Sequence, residues 1–98
     1  MTILVKLGIA HYNQGFVNVP MRYSDFFGPD LSEIKVYFDE WNSNPITAYI
    51  NRTAQPVHSP RIMMGTSYTK WVQSKYKQGD KIKIELQSEN HNSSILIR

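Results

Sequence analysis

A chain of 98 residues with 41% hydrophobic content holds enough apolar material for one core and, by size, one domain. It has no cysteine, which excludes disulfide frameworks, thiolate zinc sites and cysteine nucleophiles. The net charge of +3 is unevenly placed: no acidic residue falls between Glu40 and Asp80, the interval that holds Arg52, Arg61, Lys70, Lys75 and Lys77, whereas the first 50 residues set Lys6, Arg22 and Lys35 against Asp25, Asp30, Glu33, Asp39 and Glu40.

In chain order, "ILVKLGI" (3–9) is a β-branched and leucine-rich run, and "GFVNVP" (15–20) alternates Phe16, Asn18 and Pro20 with Val17 and Val19. Both read as strands, and they are expected to pair across the polar link "AHYNQ". "MRYSDFFG" (21–28) is short, aromatic and closed by Gly28-Pro29, which suits one or two helical turns or an irregular corner. "EIKVYFDEW" (33–41) alternates as a half-buried strand, "NSNP" (42–45) turns the chain, and "ITAYIN" (46–51) opens a hairpin. The far side of that hairpin is "PRIMMG", so the tip holds two arginines, a histidine and two prolines where a tight turn would suffice. "TSYTKWVQSKY" (66–76) spaces Tyr68, Trp71, Val72 and Lys75 as a short amphipathic helix, with Trp71 expected in the core. "QGD" then places Gly79 where a turn needs a positive φ. "KIKIEL" (81–86) and "SILIR" (94–98) are expected to pair across a polar loop "SENHNS".

Seven or so short strands with two short helices in one chain predict a mostly β architecture, a seven-stranded open β-barrel, with residues 1–98 as a single domain. The longest apolar stretch, "MTILVKLGIA", is broken by Lys6 and is far short of the roughly 20 residues that span a bilayer; it also lacks the basic start and cleavage site of a signal peptide. The expectation is an intracellular domain without a membrane partner. A one-sided positive block attracts a polyanion, commonly nucleic acid, or is a solvated face with no partner.

The order of these features resembles a family. "PRIMMGTSYTKWVQSKYKQGDKIKIEL" is similar to the segment of plant B-three transcription-factor domains in which a strand and a short helix lead through a Gly-Asp turn to an amphipathic closing strand. "VKLGIAHYNQGFVNVP" is similar to the N-terminal DNA-recognition (effector) domain of EcoRII-type restriction endonucleases, with its polar arm and "QxG-apolar-x-x-Pro" element. Both families share the DNA-binding pseudobarrel, and the resemblance runs from about Val5 to Leu86.

The resemblance implies a grip on the major groove of double-stranded DNA by two arms, Lys6 to Gln14 and Asn51 to Arg61. It implies the target-recognition domain of a type II restriction endonuclease, non-catalytic itself and monomeric in isolation, with nuclease chemistry in another domain or subunit, no cofactor and a bacterial cytoplasmic setting. The alternatives are a transcription-factor-type DNA-binding domain, a single-strand or RNA-binding barrel, and a protein-interaction barrel. This chain departs from the restriction-enzyme pattern in its shorter first arm and its fewer basic residues in the second.

The residue types agree with groove recognition. Arg or Lys can bridge guanine acceptors and Asn or Gln can bridge adenine, each good pair discriminating by about 1–3 kcal/mol. Asn13, Gln14, Asn51, Arg52, Gln55 and Arg61 are the candidate base contacts, with His11 and His58 in the same arms. Tyr12, Thr53, Ser59 and Lys70 suit phosphate contacts that fix register, and Lys6 and Arg22 suit either DNA or solvent. Each of these has an alternative as an ordinary solvated side chain. Pro29-Asp30 and Glu33-Ile34-Lys35 have the letters of a nuclease metal motif, but their carboxylates lie three residues apart instead of on converging strands, and His11, His58 and His91 have no metal-ligand spacing. No metal site is expected.

Overall fold

The computed structural model describes residues 2–54, 58–89 and 92–98. The strands are β1 (Thr2–Lys6), β2 (Phe16–Asn18), β3 (Glu33–Phe38), β4 (Ile46–Asn51), β5 (Arg61–Met63), β6 (Lys81–Glu89) and β7 (Asn92–Ile97). Three short helices join them: α1 (Ile9–Asn13), a 3-10 helix (Met21–Phe26) and α2 (Thr66–Lys75). All seven strands form one sheet in the order β1-β6-β7-β3-β4-β5-β2, a mostly β, nearly closed barrel.

Alternation builds the wall. Ile3 and Val5 of β1 face inward beside Ile82 and Ile84 of β6, and Val17, Ile50 and Ile62 form an inward row across β2, β4 and β5. Ile34, Val36, Ile95 and Ile97 complete the core, each buried aliphatic chain contributing about 1.5–3 kcal/mol of transfer free energy.

One expected pairing is not made, one parallel pairing is unforeseen, and the expected ladder of the last two strands is longer than its apolar runs. β1 and β2 do not pair with each other: β1 lies antiparallel to β6, with Val5 opposite Ile82, and β2 lies antiparallel to β5, with Val17 opposite Ile62. The link between them is helical, and α1 packs on β2 and α2 in the gap between the two edge strands. β3 and β7 run parallel, Val36 beside Ile95, which joins the first half of the chain to its end. The segment "SENHNS" is mostly ladder, because β6 continues to Glu89 and β7 begins at Asn92. Leu86 and Ile95 are the last apolar pair there, and a ribbon extending beyond the core carries no hydrophobic signal.

The second half follows the sequence pattern more closely. β4 and β5 form the expected hairpin, and Gly79 has a φ of 97° while its N–H donates to the Leu7 carbonyl at 2.8 Å. On α2, Tyr68 and Val72 are fully buried, but Trp71 is only half-buried at the barrel rim. Its ring stacks near Phe38 and Tyr76, and its indole N–H donates to Asp39 Oδ2 at 3.0 Å. A residue with a polar handle and a neighbouring carboxylate settles at a wet edge, although its helical spacing matches that of the core residues.

Candidate nucleic-acid interface

The first arm does not project. Lys6, exposed at the end of β1, stands opposite Lys81 in the ladder, and the chain then folds into α1. The Tyr12 hydroxyl donates to the Tyr76 carbonyl at 3.0 Å, and Tyr68 on α2 donates to the His11 carbonyl at 2.8 Å. The Gln73 amide donates to the Tyr12 carbonyl at 2.9 Å and to Asn13 Oδ1 at 3.2 Å, while Asn13 Nδ2 donates to the Ile9 carbonyl. Tyr12 and Asn13 thus tie α1 to the rest of the chain, and Lys6, Asn13 and Gln14 are the exposed polar candidates of the first arm. Gly15 seals the far end. It adopts φ 73°, its carbonyl accepts the Met64 and Gly65 N–H groups at 2.9 Å each, and a Cβ there would lie 2.8 Å from the Gly65 carbonyl oxygen.

The base of the second arm is built by its own polar residues. Asn51 Oδ1 accepts from the Thr53 N–H at 2.9 Å, the Thr53 hydroxyl at 3.1 Å and the Ala54 N–H at 3.1 Å, an Asx turn that starts the loop. Arg52 points into the protein. Its Nε donates to the Gly28 carbonyl at 2.8 Å, its Nη2 to the Ser24 and Phe27 carbonyls at 2.9 Å each, and its Nη1 to the Ser24 hydroxyl at 2.6 Å and, at 3.5 Å, to the His58 carbonyl. The His58 ring meets the Arg52 carbonyl through Nδ1 at 3.0 Å, and the Arg52 N–H donates to Asp30 Oδ1 at 2.7 Å. Arg52 therefore clamps the hairpin base to the 3-10 helix and offers no open guanidinium face to a ligand. Ser59 is buried at 4% exposure, away from any phosphate position. Thr53 and Lys70 are exposed, and Gln55 lies outside the described residues, as does His91.

Arg61 is placed differently. In the ladders Asn18, Arg61 and Asn51 stand side by side on β2, β5 and β4, next to the row Phe16, Met63 and Tyr49. Because Val17, Ile62 and Ile50 point inward, these two rows form the outer face of the sheet. The Arg61 guanidinium lies 3.9 Å over the Phe16 ring, and its Nε donates to Asn18 Oδ1 at 2.8 Å. These two contacts hold the guanidinium on the outer face, with no hydrogen-bond partner for Nη1 and Nη2 among the described residues. Asn18 was not among the candidates, yet the alternation of Val17 and Val19 already implied that it faces outward.

His11 completes the face. Its Nε2 accepts the Asn18 backbone N–H at 3.1 Å, on the edge of β2 that β5 does not cover, and its Nδ1 lies 3.2 Å from the Lys6 carbonyl. Burial lowers its pKa below the usual 6.5 and Arg61 adds to the shift, partly offset by the Lys6 carbonyl. Asp30, the acid of the apparent nuclease motif, serves the Arg52 backbone, and no three His, Cys, Asp or Glu side chains come together as a metal set among the described residues.

No family model and no curated protein matches the sequence. Solved structures do match. A hypothetical protein of Arabidopsis thaliana aligns with a TM-score of 0.58 over 100% of this chain and 89% of its own, at 7% identity. The Arabidopsis FUS3–DNA complex aligns with a TM-score of 0.64 over 98% of this chain and 94% of its own, at 14% identity. The chain shares their pseudobarrel fold. Of the two resemblances read from the sequence, these neighbours agree with the plant B-three side, and neither is described as a restriction endonuclease.

Proposed function

We propose that this chain is a sequence-specific, double-stranded DNA-binding domain of the transcription-factor type, with no chemistry of its own. One observation carries the reading: Asn18, Arg61 and Asn51 form a polar row on the outer face of β2, β5 and β4, with the Arg61 guanidinium over Phe16 and its Nη groups without a hydrogen-bond partner among the described residues. A guanidinium so placed suits the O6 and N7 acceptors of guanine in the major groove. Exposed Lys6, Gln14, Thr53 and Lys70 are the candidates for phosphate contacts and secondary readers. The neighbour solved as a DNA complex supports the transcription-factor alternative over a restriction-endonuclease role.

The test is a gel-shift series with duplex, single strand and heparin, after selection of a preferred duplex from random sequence. If about five phosphates are neutralised, log K for duplex falls against log salt with a slope near −4 to −5, at roughly 0.9 per phosphate. A flat salt response, or tighter binding to single strand than to duplex, overturns the reading.

A further inference from the structure

A closed loop of contacts runs through the outward face. The Lys6 carbonyl meets His11 Nδ1, His11 Nε2 accepts the Asn18 N–H, Asn18 Oδ1 accepts the Arg61 Nε–H, the Arg61 guanidinium covers Phe16, and the edge of Phe16 returns to His11 with ring centroids 5.9 Å apart at 79°. Only one protonation state of His11 fits. A backbone N–H can only donate, so Nε2 must be the bare nitrogen; Nδ1 then carries the proton and donates to the Lys6 carbonyl. This selects the Nδ1–H tautomer of a neutral imidazole.

We propose that His11 is a positioning residue for Arg61: as a neutral ring it holds the edge of β2, and with it Asn18 and the Arg61 fork, in the geometry that reads a base, and protonation releases that geometry. This proposal rests on the DNA-binding reading above. A proton on Nε2 would set two donors, the ring N–H and the Asn18 N–H, against each other and would add a positive charge beside Arg61.

The titratable and charged groups around the ring are Lys6 from β1, Arg61 from β5, Tyr12 on its own helix and Tyr68 from α2, whose hydroxyl is held neutral because burial raises its pKa. β2 presents Phe16 and Asn18, neither of which titrates. No carboxylate among the described residues acts on the ring, so nothing nearby compensates a second positive charge. The direction follows. His11 has a lowered pKa in the folded protein, so the latch is intact above pH 6.5 and opens as pH falls through the folded-state value below it.

The experiment has two readouts on the full chain. Without DNA, nitrogen-15 NMR is expected to show the neutral His11 ring protonated on Nδ1, with the Asn18 amide shifting at the His11 titration midpoint, below 6.5. With DNA, the ratio of affinities for preferred and scrambled duplex is expected to fall about tenfold along that titration, the order of discrimination one arginine–guanine pair supplies. Affinity for the scrambled duplex holds or rises, because added positive charge favours phosphate. His11→Gln, whose amide oxygen reaches the Nε2 position and accepts from Asn18 without titrating, keeps the ratio flat with pH; His11→Ala lowers it at every pH. An Asn18 amide that ignores the His11 titration, or a ratio in His11→Gln that follows the parent's pH profile, overturns the proposal. If no duplex is preferred at any pH, the DNA-binding reading fails, and the NMR titration still decides whether the latch exists.

Discussion

Arg52 and Arg61 flank one hairpin loop, and in sequence they look like a matched pair of groove-reading side chains. Arg52 meets the Ser24, Phe27, Gly28 and His58 carbonyls and the Ser24 hydroxyl, whereas among the described residues Arg61 shares only its Nε, with Asn18, and lies over Phe16. What separates them is the supply of acceptors. A guanidinium has five donors in a fixed fork, and the 3-10 helix and its exit present a cage of oxygens that matches that fork. Arg61 faces a strand whose carbonyls are already in the ladder. The same residue type is therefore structural at one end of the loop and available to a ligand at the other.

The largest expected effect tests the clamp. Arg52→Ala removes the side-chain donor from the carbonyls of Phe27 and Gly28 and leaves that of Ser24 with only the Phe27 N–H, and stability is expected to fall by about 3 kcal/mol. At about 4–8 °C per kcal/mol for a domain of this size, thermal melts should drop by about 15 °C. Arg52→Lys should recover little, because one ammonium cannot reach so many acceptors. A melt of Arg52→Ala superimposable on the parent's would remove the distinction between the two arginines.

Gly15→Ala comes next. It places a Cβ against the Gly65 backbone at a positive φ and should cost about 2 kcal/mol in chemical denaturation, without altering which duplex is preferred in protein that still folds. Arg61→Ala is expected to invert this pattern. The melting temperature should move by only a few degrees, while affinity for the preferred duplex falls by about 1–3 kcal/mol and that for a scrambled duplex much less. Equal losses on both duplexes would make Arg61 a phosphate clamp.

The smallest effect concerns a charge pair away from the outward row. The Lys75 ammonium and then the Trp71 indole N–H hold the Asp39 carboxyl below its usual pKa of 3.8. A depressed carboxylate stabilises the fold fully above its unfolded pKa and loses that contribution as pH falls through the folded value. Acid melts should therefore show Asp39→Asn less stable than the parent near neutrality by under about 1 kcal/mol, with the gap closing below pH 4. Asparagine accepts the positive φ of 70° at this position, so the substitution isolates the charge.

Much of this was legible in the sequence, for identifiable reasons. Alternation and β-branched runs located the strands, the turn residues placed Gly79, and the hairpin of β4 and β5 followed from two neighbouring runs. Periodicity says which face of a strand is buried but not which strand lies beside it, so the pairing of Thr2–Lys6 with Lys81–Glu89 and the parallel contact of β3 with β7 were not visible. The five residues of α1 have too little amphipathic pattern to read as a helix; contacts from Tyr68 and Gln73, far along the chain, hold them. Likewise, nothing within "NRTAQ" distinguishes an inward arginine from an outward one, because the acceptors that decide it are supplied from residues 24 to 28.

The sheet order also dictates when the barrel can close. Thr2 pairs with Glu85 and Lys6 with Lys81, so β1 has no ladder partner until β6 has been made. Local ladders such as β4 with β5 and β6 with β7 can zip early across short loops, but the ring needs its most distant contacts last, and such non-local closure slows folding. During synthesis β1 waits as an unpaired apolar edge, and the sheet joins up only after both β6 and β7 have emerged from the ribosome, because β7 links β6 to β3.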